Sequence, residues 1–334
     1  MKIKAGLMAL SLALTSFLAA CGSESTSGND NSEVKDDALQ IYTTIYPLQD
    51  FAAKIGGEHV EVESILPPGV DAHTFEPTPK TMVTLAKADA FIYSGAGVEG
   101  FVEAAKDTLK SEDVKLVEAA HGIELAHHDE HAAEETHDEH ATEEAHDEHA
   151  AEENHNEHNH GDVDPHIWLD PILAIELAEN IKTELTELKP EAKADFEKNF
   201  ETLKSDLETL DKEFTQVIDS APKKEILVAH AAYGYWEGRY GIEQLSVSGL
   251  SPTSEPSQKE LQNLVSTAKE HDIKYVIFEQ NVKPKIAELV KKEIGADSLT
   301  LHNLEAVTEE DIKNKEDYFS IMKKNLETLK TALQ

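Results

Sequence analysis

Between Pro171 and Ser220 the chain runs for fifty residues without a strand-like segment, rich in Glu, Lys, Leu and Ala and strongly interrupted only at Pro190. Proline is tolerated in the first turn of a helix, so Pro190 can open a second one. The spacing therefore predicts helices over 171–189 and about 191–218. At 1.5 Å per residue the second would be about 42 Å long, enough to run past two small domains and join them. A stiff connector between two folded units is the simplest reading.

What flanks that stretch is alike on both sides. From Leu39 to about Ala120, β-rich runs (LQIYTTIY, VEVESIL, DAFIYSG, VKLVEA) alternate with the helical stretches TLAKA, opened by Thr78-Pro79, and VEGFVEAAKDTL. After Pro222 the alternation resumes with EILVAH, IEQLSVS, KYVIFEQ and DSLTLHNL, each followed by a helix-patterned segment, the last near Tyr318 to Leu333. Strand–helix alternation is the mark of a parallel sheet covered by helices. The expected fold class is α/β, with an N-terminal lobe over 39–170, linking helices over 171–221 and a C-terminal lobe over 222–334. A length of 334 residues accommodates that architecture.

The N-terminus belongs to neither lobe. Lys2 and Lys4 precede the apolar run Ala5 to Ala20, too short for the roughly 20 residues of a spanning helix but suited to a secretory signal over 1–20. It ends Leu18-Ala19-Ala20-Cys21, which resembles a bacterial lipobox, and Cys21 is the chain's one cysteine. Cys21 is thus the expected lipid attachment point, with 21–38 as a polar, flexible tether. The alternative is an ordinary signal peptide with an incidental thiol. One cysteine also excludes an internal disulfide and any multi-cysteine zinc site, leaving His and carboxylate as metal ligands.

Acidic residues outnumber basic ones 66 to 30, a net charge of −36, which excludes nucleic acid and anionic headgroups as natural partners and favours cations. Part of the excess lies in a repeat of period nine: HDEHAAEET, HDEHATEEA and HDEHAAEEN begin at His128, His137 and His146, followed by HNEHNH from His155. Nine residues advance a helix by about 900°, half a turn out of phase, so the His pairs build no single stripe. With no Lys or Arg between 127 and 160 the segment cannot form a core. It reads as a disordered insert over about 122–163, with His128, His131, His137, His140, His146, His149, His155, His158 and His160 as auxiliary weak metal binders.

Outside the repeat, four residues stand at strand-to-helix junctions, where open α/β sheets place ligands. His73 lies in PPGVDAHTFEPTP, His166 in DVDPHIWLDP, His230 ends EILVAH and Glu279 ends KYVIFEQ. Three imidazoles and a carboxylate from separate segments suit a transition metal, zinc before manganese or magnesium. His59, His121, His271 and His302 lack such a setting and read as surface or packing residues. Gly95-Ala96-Gly97-Val98-Glu99-Gly100 satisfies GxGxxG, but as the third unit of an exported domain it reads as a packing turn, not a nucleotide site. HExxH and GxSxG are absent. A zinc hydrolase would need an exchangeable water on the metal, and no enzymatic activity is expected.

The segments PPGVDAHTFEPTP, DPHIWLDP, AHAAYGYWEGRYGI, SGLSPTSEPS and FEQ, in this order around a His/Asp/Glu-rich insert, resemble the zinc-specific solute-binding lipoproteins of bacterial ABC transporters, the ZnuA/AdcA type. The resemblance implies two (β/α)₄-like lobes with parallel sheets joined by a long rigid helix, and a metal cleft between them. It implies zinc as the transported ligand, His73, His166 and His230 as ligands, and Glu279 at the position some members use for a fourth. The implied partners are an ABC permease and its ATPase, with the membrane reached only through the lipid. A monomer is expected at the extracytoplasmic face of a Gram-positive cell membrane. The alternatives are a manganese or other divalent-metal receptor, or an extracellular zinc buffer or adhesin without transport.

Overall fold

The computed structural model of the chain describes residues 38–127 and 163–334. Cys21, the tether and the nine repeat histidines from His128 to His160 lie outside the described residues. Among the described residues no helix is long and apolar enough to cross a membrane.

The first sheet has four parallel strands in the order β2-β1-β3-β4: β1 (Leu39–Thr43), β2 (Val60–Ser64), β3 (Ala90–Tyr93) and β4 (Lys115–Glu118). The second repeats that order as β6-β5-β7-β8: β5 (Glu225–His230), β6 (Glu243–Ser248), β7 (Tyr275–Phe278) and β8 (Asp297–Thr300). Successive strand side chains point to opposite faces, and in the inner strands β3, β5 and β7 both faces are dry. In β3, Ala90 and Ile92 join the central core while Phe91 and Tyr93 join an outer cluster with Leu85, Phe101 and Leu109. In β5, Ile226 and Val228 face the central core, and Leu227 and Ala229 face an outer cluster with Val276, Phe278, Ala287 and Val290.

The outer clusters are covered by α2 (Pro79–Leu85) and α3 (Val102–Leu109) on the first lobe, and by α7 (Gln258–Glu270) and α8 (Lys285–Ile294) on the second. Between the sheets lie α1 (Tyr46–Gly56), α4 (Pro171–Leu188), α5 (Lys193–Ser220) and α10 (Tyr318–Ala332), with the short α6 (Gly234–Tyr240) packed on α5. A further short helix, α9 (Glu309–Asn314), is closed by a Thr308–Asp311 capping box.

The 28-residue α5 does more than connect. It buries Phe196, Phe200, Leu203, Leu207, Leu210, Phe214 and Ile218, a stripe at three- and four-residue steps, in one core with strands of both sheets. The C-terminal helix α10 crosses back to the first lobe, where Tyr318 packs edge-on to Phe51 with ring centroids 4.9 Å apart.

Several elements differ from the expectation. The run LQIYTTIY is strand only to Thr43; Pro47 sits in the first turn of α1, whose Leu48, Phe51, Ala52 and Ile55 recur at helical spacing. Helix α3 starts at Val102, because Val98 to Phe101 form a turn that sends Glu99 inward. A 3₁₀ turn over Pro190–Ala192 delays α5 to Lys193. The expected insert also narrows at both ends: Ile123, Leu125 and Ala126 pack on the core, and His127 forms an antiparallel bridge with Val163.

Phe214 is fully buried and stacks on Tyr240 at 5.6 Å between centroids. Phe214→Ala is expected to lower the unfolding free energy by about 3–5 kcal/mol, read by urea denaturation of the metal-free protein. A loss below about 1 kcal/mol would contradict the shared core.

Candidate metal centre

The three histidines singled out from the sequence converge. His73 Nε2 lies 3.3 Å from His166 Nε2, and His230 Nε2 lies 3.3 Å from the same atom. The carboxylate that joins them is Glu305, whose Oε1 is 3.4 Å from His73 Nε2 and 3.7 Å from His166 Nε2. One ligand atom from each of the four lies within 4.8 Å of every other. Zinc–nitrogen bonds of about 2.0–2.1 Å in a tetrahedron place neighbouring donors about 3.3–3.4 Å apart, close to these edges.

Each donor is presented by local structure. His73 sits in the loop after β2, its N–H donating to Asp71 Oδ1 at 2.7 Å. That loop is fastened to the second lobe by Gly69 N–H to the Val307 carbonyl at 2.9 Å and by Ala72 N–H to Glu305 Oε2 at 3.2 Å. His166 precedes a 3₁₀ turn and α4, whose N-terminus is capped by Asp170. Asp164 Oδ1 accepts from both the backbone N–H of His166, at 2.9 Å, and its Nδ1, at 2.8 Å. His230 ends β5. Glu305 follows β8 in a turn where Leu304 takes a left-handed conformation, φ 62°, held by its N–H to His302 Nδ1 and by Glu305 N–H to Asn303 Oδ1.

Glu279 is not brought into the four-atom cluster, which corrects its expected placement. Its Oε1 meets Nδ1 of His230, on the side of the ring away from the other donors. A carboxylate there keeps the proton on Nδ1 and leaves the Nε2 lone pair free for an ion, and Asp164 does the same for His166. Glu305 also comes after a strand, β8, but stands beyond its end in DSLTLHNLEAV, and nothing in that segment marks it over Glu279. Ending a strand favoured Glu279, but in this lobe the last crossover carries the carboxylate one strand further.

Among the residues set aside, His302 pairs with Asp311 in the first turn of α9, His59 with Asp195 and His271 with Glu225. In the glycine turn, Gly95 and Gly97 have φ of 82° and 89°. The buried Glu99 carboxylate fills the turn, accepting from Ser94 N–H at 2.7 Å and Thr44 Oγ1 at 2.6 Å. A phosphate would have to displace it.

A family profile described as zinc-uptake complex component A, periplasmic, matches residues 41–332. The chain belongs to this family. The high-affinity zinc uptake system protein ZnuA of Bacillus subtilis is 36% identical over 317 residues, spanning 95% of this chain and 94% of that protein. The zinc-binding lipoprotein AdcA of Streptococcus pneumoniae (strain ATCC BAA-255 / R6) is 35% identical over 314 residues, and there the match spans 94% of this chain but only 58% of AdcA. The crystal structure of the Zn(II)-bound ZnuA-like domain of S. pneumoniae AdcA matches with a TM-score of 0.70 at 33% identity, covering 89% of this chain and 99% of that domain.

The electrostatics of the cluster are coupled. Burial alone would make His230 less basic, but the charge and hydrogen bond of Glu279, with the charges of Glu305 and Asp71, raise its pKa above the ordinary value. Burial alone would raise Glu305; the His73 hydrogen bond and the three imidazoles outweigh it and bring the carboxyl down to about 2. A depressed acid stabilises the fold above its unfolded value, near 4.5, and that stability is lost as pH falls through about 2. His230 acts in the opposite window: its contribution is complete below about 6.5 and lost as pH rises through its raised value. Metal-free protein should therefore lose stability between about pH 4.5 and 2, and Glu305→Gln should flatten that part of the profile in urea unfolding. Superimposable acid limbs would contradict it.

Proposed function

We propose that the chain is an extracytoplasmic zinc receptor that captures one Zn²⁺ in the cleft between its lobes and delivers it to the permease of an ABC transporter powered by its ATPase. The observation that carries this reading is the meeting of three imidazoles and one carboxylate with ligand atoms all within 4.8 Å of one another, the His73–His166, His166–His230 and His73–Glu305 edges at 3.3–3.4 Å. His73 and His166 supply two ligands from the first half of the chain, His230 and Glu305 two from the second. Glu279 and Asp164 orient His230 and His166 from behind. Four protein donors complete a tetrahedral zinc and leave no position for a reactive water, which suits capture and not catalysis. Cys21 carries the lipid anchor, the tether over 21–38 gives reach to the permease, and the histidine repeat gathers zinc weakly.

Release follows from how the ligands are mounted. Among the described residues a cavity of about 630 Å³ opens beside His73, between Gly97 of the first lobe and Ser248 of the second. The loop carrying His73 bears on Glu305 through one backbone hydrogen bond, while α5 and the shared core hold the lobes. Movement of that loop at the permease opens the site at much lower cost than rotation of a lobe.

Competition titration of residues 22–334 should give one tight zinc site with weak manganese binding, and His230→Ala should weaken zinc by at least about 100-fold, beyond the 10–100-fold typical of outer-shell changes. Deleting the repeat over 128–162 should remove only weak stoichiometry; loss of the tight site on that deletion would move the chemistry to the repeat. Protons compete with zinc for the imidazoles, and the raised pKa of His230 starts that competition above about 6.5, so affinity should fall with falling pH from there. Constant affinity from pH 7.5 to 5 would argue against histidine ligation.

A further inference from the structure

Behind the donors of the second lobe, one uncharged side chain touches both of its acids. Asn303 is buried in the turn after β8. Its Nδ2 donates to Glu305 Oε1 at 3.0 Å and to Glu279 Oε2 at 3.4 Å, one hydrogen for each carboxylate. Its Oδ1 accepts from Glu305 N–H at 3.2 Å and from Gln280 Nε2 at 3.1 Å. A backbone N–H facing one end of the amide demands an acceptor there, and two carboxylates facing the other demand a donor, so the orientation is fixed from both sides. The backbone is anchored as well, since the Asn303 carbonyl accepts Trp168 Nε1–H at 2.8 Å.

We propose that Asn303 is the positioning residue of the second lobe: its single amide nitrogen clamps Glu305, a ligand, to Glu279, the acid that sets the tautomer of the ligand His230. The inference rests on the ligand set proposed above. A clamp at this position must be neutral. Lys or Arg would hold both acids but add a buried positive charge beside the captured cation, and a carboxylate would repel both. An amide ties the two anions together and leaves their charge to the ion.

The test is a pairing exchange in the whole mature chain, with zinc affinity by competition and the visible spectrum of the cobalt-loaded protein as readouts. Asn303→Asp keeps size and Oδ1 but turns the donor against two carboxylates; zinc affinity should fall 10–100-fold and the cobalt bands should shift and weaken. Adding Glu279→Gln exchanges amide and acid, so that the new amide can accept from His230 Nδ1 and donate to the new carboxylate. The carboxylate at position 303 still faces Glu305, so only the Glu279 side of the clamp is restored: the double variant should regain about threefold or more in affinity over Asn303→Asp, and its cobalt bands should move part of the way back to the wild-type spectrum. Loss of packing alone would not be rescued.

If Asn303→Asp fails to fold, the double variant carries the test and must both fold and bind. Wild-type affinity and spectrum in Asn303→Asp, or a double variant no better than it, would overturn the clamp while leaving the ligand set standing. If wild-type protein lacks a tight zinc site, or keeps it in His230→Ala, the ligand set fails first and the clamp with it.

Discussion

The Glu305 carboxylate is the contact on which the rest of the cleft depends. One oxygen faces His73 and His166, the other accepts the N–H of Ala72 beside His73, and the residue's own carbonyl accepts the N–H of Tyr46 at the start of α1. A buried carboxylate costs several kcal/mol unless it is paired and hydrogen-bonded. Here the partners His73, His166 and Ala72 come from the first lobe, so satisfying one acid of the second docks the His73 loop against the turn after β8, and the backbone carbonyl of the same residue holds α1 there. Site and interface are built from the same bonds.

Those bonds also decide which motions are cheap. A rigid rotation of the lobes would break Tyr46 N–H to Glu305, Gly69 N–H to Val307, Trp168 Nε1–H to Asn303 and Tyr318 O–H to the Trp168 carbonyl, and would open the core along α5. Displacing the loop around His73 gives up far less: the Gly69 bonds to Val307 and Asn281 and the Ala72 bond to Glu305. Hydrogen bonds at such positions are worth about 1 kcal/mol each, whereas exposing a core of this length costs many times more.

Most of the architecture was legible because the inner strands of both sheets are dry on two faces, and strands such as AFIY and EILVAH then stand out as continuous apolar runs. Helix α1 was hidden because TTIY continues the β-rich run and Pro47 looks like a break until it is placed in a first helical turn. The three histidines were legible singly, through their loops and strand ends. Choosing between Glu279 and Glu305 was not, because both follow strands of one sheet and differ only in which side of His230 they reach. That difference is set by the left-handed turn at Leu304, and no side-chain pattern announces a positive φ at a leucine.

The division of labour between the two acids has a physical logic. Glu279 accepts from a ring nitrogen, so its charge raises the basicity of His230 from outside the four-atom cluster. Glu305 stands among the three Nε2 atoms and stays ionised because three imidazoles surround it. Exchanging the roles would place two carboxylates against the metal or leave Nδ1 of His230 without an acceptor, and a ring free to turn can offer either nitrogen. A tautomer fixed in advance spares an arriving ion that reorganisation, so the cost of ordering the ring is met by the fold before binding.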